Sequence, residues 1–185
     1  MKKFKFAILA LAALVLPLAF VSCGDDENDE PEPPENGGTK AVSATSKCII
    51  KPNKELLDVF NITYDYLKNG ETATGNLHGT TTVVVEKQQV PATFAYRVVL
   101  HLKPDVELTK DEYTFELGVS AVNYFMYDKK GNIIDKYSHS QSDYEEQTLV
   151  VERENIPLMD GYTLYSTAYK VLDNGSYNML SDYKW

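Results

Sequence analysis

Cys23 and Cys48 are the two thiols of this 185-residue chain, and His78, His101 and His139 are its three imidazoles. Together with serine and the carboxylates they bound the chemistry open to it. The histidines lie 23 and 38 residues apart, with no His-x-x-x-His or Cys-x-x-Cys pair, so no zinc signature is present. Cys48, in "SKCIIK", alternates with Ile50 and reads as a small buried hydrophobe. A catalytic thiol needs a lowered pKa and a nearby base, and neither is visible. Serine has no Gly-x-Ser-x-Gly elbow. The single Ser-x-x-Lys match, Ser181–Lys184, lacks its companion boxes. Asp111–Glu112 and Glu145–Glu146 are adjacent acids, and neighbours on a strand point to opposite faces, so neither pair is a glycosidase dyad by itself. No metal and no cofactor is expected, and the expectation is a protein that is not an enzyme.

Cys23 reads differently. "MKKFKFAILALAALVLPLAFVSC" opens with Lys2, Lys3 and Lys5, continues as an apolar run from Phe6 to Val21, and reaches Ser22 just before the thiol. That order is the grammar of a secretory signal. "FVSC" resembles a lipobox, with Phe20 where leucine is commonest. The resemblance implies that Cys23 is alkylated by a diacylglyceryl group and becomes the new N-terminus, residues 1–22 being removed. An uncleaved anchor and ordinary cleavage are the alternatives. Two or more acyl chains hold a protein stably on a membrane.

Residues 23–40 follow as a tether. Between Gly24 and Lys40 there are seven acids and one base, with Pro31, Pro33 and Pro34 and no apolar residue to seed a core. Such a segment reads as a disordered, charge-extended spacer. "CGDDENDE" resembles the export signal of Bacteroidota-type surface lipoproteins, carried here by Asp25, Asp26, Glu27, Asp29 and Glu30. The resemblance covers Met1–Glu30. It implies an outer-membrane protein, lipid-anchored, whose domain faces the cell exterior; the periplasmic leaflet is the alternative.

Residues 41–185 read as one domain. Period-two alternation dominates it. In "ATFAYRVVLHLK", Phe94, Tyr96, Val98, Leu100 and Leu102 share a face. "EYTFELGVSA" puts Tyr113, Phe115, Leu117, Val119 and Ala121 on one side. "TLVVER" and "YTLYSTAYKV" are further strands, and Asn69–Gly70, Asp128–Asn132 and Asp173–Ser176 carry turn chemistry. Asn53–Leu67 fits either a strand or a helix; its β-branched and aromatic content favours a strand. Seven to nine short strands with one wet face each predict an all-β, antiparallel two-sheet sandwich, immunoglobulin-like or transthyretin-like.

The net charge of −9 falls to about −6 beyond the tether, and no basic stripe is present, which argues against nucleic acid. Thirteen tyrosines, all beyond Asn61, are the enriched class. In "VNYFMYD" both faces are apolar, so with one in the core the other is left exposed or covered by a partner. Phe125 and Tyr127, with Tyr137 and Tyr144 in the following loop, are the expected ligand-binding residues. The expected function is a surface-displayed binding or adhesion module for an extracellular glycan or protein. The alternatives are an accessory or anchor subunit of an outer-membrane complex or pilus, and a hydrolase.

Overall fold

A computed structural model describes residues 40–185. The expected lipidation site and export signal, Cys23 to Glu30, lie outside the described residues. Nine strands are present among the described residues: β1 (Ser43–Pro52), β2 (Phe60–Lys68), β3 (Glu71–Leu77), β4 (Thr81–Gln89), β5 (Ala92–Leu102), β6 (Glu112–Tyr127), β7 (Glu145–Glu152), β8 (Thr163–Val171) and β9 (Tyr177–Met179). One sheet has the order β4-β1-β6-β7 and the other β3-β2-β5-β8-β9, every pairing being antiparallel. The two sheets bury their apolar faces together, which is the sandwich that the alternation predicts. Within it β1 pairs with β4 and β6, so its first strand is not beside its second as in an immunoglobulin domain.

Asn53–Leu67 is both helix and strand. The strand reading fails over Lys54–Val59, which form the helix α1, and holds from Phe60. The reason is local. The Asn53 side chain accepts from the Leu56 amide at 2.9 Å and so caps the first turn, while its Nδ2 donates to the Thr114 carbonyl. Leu56 and Val59, three apart, are both buried. Asn69 and Gly70 then take positive φ, 54° and 81°, and close the β2–β3 hairpin.

The doubled apolar pattern of β6 has a geometric cause. Lys47 faces Asn123 but Ile49 faces Ser120, so β6 carries one extra residue opposite β1. This bulge reverses the inward parity. Before it Tyr113, Phe115, Leu117 and Val119 point inward; after it Val122, Tyr124 and Met126 do, and all seven are buried. Phe125 and Tyr127 therefore turn to the outer face.

The bulge also sets up the polar link between the sheets. Ala121 falls out of the β1–β6 register, and its carbonyl accepts from Tyr169 Oη at 3.0 Å. Since that proton is committed, Ser46 Oγ donates to Tyr169 Oη at 2.7 Å, and Tyr96 Oη donates to Ser46 Oγ at 2.7 Å. Burial pushes the phenols of Tyr96 and Tyr169 well above the ordinary value, so they stay neutral donors.

Candidate functional site

The outer face of the β4-β1-β6-β7 sheet gathers aromatic rings and cations. Alternation sends Lys47, Ile49 and Lys51 of β1 outward, and the register sets Val84 beside Lys47 and Gly118 beside Lys51. On the far side of Gly118 stands Glu146 of β7. Gly118 has no side chain, and the Tyr144 ring lies over it: a Cβ built at Gly118 would sit in van der Waals contact with Tyr144 Cδ1, at 3.4 Å. Lys51 Nζ is 5.9 Å from the centre of the same ring, and Lys47 Nζ is 4.9 Å from the centre of Phe125. Among the described residues neither lysine belongs to an ion pair.

The loop that delivers Tyr144 is held by amides. Asn123 and Ser120, on the outer side of β6, are buried beneath it. The Gln141 amide donates to Asn123 Oδ1 at 2.6 Å, and Ser120 Oγ donates to the Gln141 carbonyl at 3.3 Å. Asn123 Nδ2 in turn donates to Ser120 Oγ at 2.9 Å. A polar network fully paired in this way fixes a loop better than apolar contact alone. The result is a shallow cavity of about 160 Å³, with Tyr144 as one wall, Gly118 beneath, and Lys51, Asn53, Glu116 and Glu146 around it.

The four expected aromatics do not converge on one point. Phe125 and Tyr127 are half-buried on the outer face, and Tyr144 is exposed beside Gly118. Tyr137 turns away: it lies in a 3-10 turn (Asp135–Tyr137), packs against the core, and backs onto the turn at Gly175. Lys51, Glu116, Gly118 and Glu146 were not among the expected residues. The signal for them was the lone glycine inside the alternating run "FELGVS", which marks a close approach to a strand.

Two other places deserve comparison. A cavity of 430 Å³ opens where β2 begins after α1, with Lys103 and His78 at its rim. Its floor, Phe60, Ile62 and Leu77, is at most 3% exposed, so it offers a ligand little apolar surface. Cys48 is wholly buried, and burial above all, with the charge of Glu145, pushes its thiol far up. A thiol held protonated is a poor nucleophile. Among the described residues, no three His, Cys, Asp or Glu side chains come together to hold a metal ion.

The other sheet has an outer row of its own. Thr74, Asp65, Arg97 and Ser166 stand opposite one another across β3, β2, β5 and β8. Arg97 donates to Asp65 Oδ2 through Nε at 2.9 Å and through Nη2 at 2.5 Å, and Thr74 donates to Asp65 Oδ1 at 2.6 Å. Trp185 lies against this row. Its ring centre is 5.0 Å from the Arg97 guanidinium, and its Nε1 donates to Ser166. The Asp65 carboxylate is thus paired within this row, on both oxygens.

Comparison with protein families, with curated proteins and with solved structures finds no match to this chain.

Proposed function

We propose that the protein is a lipid-anchored sandwich, displayed on the outer face of the outer membrane, that binds a glycan on the outer face of its β4-β1-β6-β7 sheet. The observation that carries the binding half is Tyr144 standing over Gly118, with Lys51 on one side, Glu146 on the other and Glu116 next along β6. A sugar ring has an apolar C–H face and a rim of hydroxyls. An aromatic ring suits the first. An ammonium and carboxylates suit the second, through charge-assisted hydrogen bonds. The cavity is small, which fits one sugar unit of a longer chain. The anchoring half rests on the lipobox-like "FVSC" and the acids that follow Cys23. Phe125 beneath Lys47 repeats the ring-and-cation pairing four residues back along β1. The two places are about 14 Å apart at the rise of an extended strand, which favours an oligosaccharide over a single sugar.

The test is a glycan-array screen of the full chain, repeated with Tyr144→Ala and Gly118→Val. Binding should weaken about tenfold in each variant, equivalent to about 1.4 kcal/mol. Glycan binding that both variants retain in full would remove Tyr144 from the site, and no glycan binding by the parent would overturn the reading.

A further inference from the structure

Four strands form the edges of the two sheets: β4 and β7 in one, β3 and β9 in the other. Natural sheets protect their edges, because unpaired backbone groups recruit other strands. Three of these edges are protected. β7 carries Glu145, Glu146 and Glu152; β3 opens with Glu71 and is interrupted by Gly75; β9 is three residues long. β4 is not protected over Thr81–Val85. Those five residues read Thr-Thr-Val-Val-Val, uncharged and β-branched throughout. Val83 and Val85 point into the core, while Val84 points outward and keeps 40% of its surface exposed. The flat run ends only at Lys87, whose φ of 44° marks the bulge where Ser46 faces Val85 but Ala44 faces Gln88.

We propose that Thr81–Val85 pairs antiparallel with the same segment of a second copy, about a two-fold axis through Val84. The segment is its own complement in this register. Val84 meets Val84 on the outer face, Val83 meets Val85 on the inner face, and Thr82 meets Glu86. No like charges face each other. The same operation on β7, about Leu149, would set Glu146 opposite Glu152 on the outer face and so repel. Glycine at the centre of β3 gives a second copy no side chain to pack against. The β4 pairing joins two four-stranded sheets into one of eight, β7-β6-β1-β4 continuing into its symmetry mate. The axis stands perpendicular to the sheet, so the two Tyr144 shelves face the same way. Such an interface is isologous and closed, which limits assembly to a dimer.

Val84→Cys in the full chain, oxidised in native membranes and read on a non-reducing gel, tests the register directly. Directly opposed residues of an antiparallel pair lie about 4.5–5.5 Å apart at Cα, within the span a disulfide can bridge. Thr148→Cys, also exposed and on the β7 edge, is the control for random collision. Dimer that forms with Val84→Cys and not with Thr148→Cys or the parent is the expected result. Equal or absent cross-linking would overturn the proposal. Light scattering of the detergent-solubilised full chain gives an independent reading: the parent should show twice the protein mass of Val84→Lys. A parent that stays monomeric at every concentration would also overturn it.

Discussion

Tyr169 donates its phenolic proton to the Ala121 carbonyl across 3.0 Å, from the middle of one sheet into the bulge of the other. The bulge that turns Phe125 toward solvent thus also creates the acceptor that ties the sheets together. The outer aromatic face and the core share one backbone irregularity.

Tyr169→Phe should therefore cost more than an ordinary surface change. It strands the Ala121 carbonyl and removes the acceptor for Ser46, and a buried group left unpaired costs about 1–3 kcal/mol. Tyr96→Phe removes only the first donor of the relay and should cost about 0.5–1.5 kcal/mol. Urea unfolding monitored by fluorescence would separate the two. Equal stabilities for both variants and the parent would contradict the relay.

The same burial sets a pH dependence. Cys48, Tyr96 and Tyr169 all have folded-state pKa values raised above their unfolded ones, chiefly by burial. Their contribution is full below the unfolded values and is lost as pH rises toward the folded ones. Stability should hold up to about pH 8.5, the ordinary thiol value, then fall, and fall more steeply beyond about pH 10 as unfolded phenols ionise. Cys48→Ala should remove the first part of the decline and leave the second. Denaturant midpoints between pH 7 and 11 give the profile.

Arg97 and Asp65 form the one ion pair whose acid is buried among the described residues, with side-chain exposures of 31% and 8%. Arg97→Leu leaves the carboxylate with Thr74 as its remaining side-chain donor. The loss should be about 3 kcal/mol, the low end for breaking a buried pair because Arg97 itself is partly solvated. Arg97→Leu combined with Asp65→Leu should recover much of that loss, and thermal melts of the three variants would measure it.

Glu112 of β6 stands directly opposite Glu152 of β7. Like charges so placed oppose the pairing, so Glu152→Lys should gain roughly 0.2–1 kcal/mol, and the gain should shrink at high salt. Melting temperature against salt concentration is the check.

Much of this fold can be read from residue order. The alternations from Phe94 to Leu102 and from Tyr113 to Val119 run inward as their spacing requires, and Asn69–Gly70 turns where a hairpin needs it. Two things could not be read that way. The helix at Lys54–Val59 depends on Asn53 reaching both Leu56 and Thr114, and the second contact is 61 residues away in the chain. The candidate site depends on the Tyr144 ring lying over Gly118 of the neighbouring strand. Sequence spacing identified Tyr144 as an aromatic of interest, but only the register of β1, β6 and β7 brings Lys51 and Glu146 to its sides.

Whether the proposed lipid sits on Cys23 is read from the mass of the mature N-terminal peptide in native membranes. The expected peptide begins at Cys23 and carries a diacylglyceryl group with a further acyl chain. A peptide that retains Met1, or one with a free thiol at position 23, would contradict it.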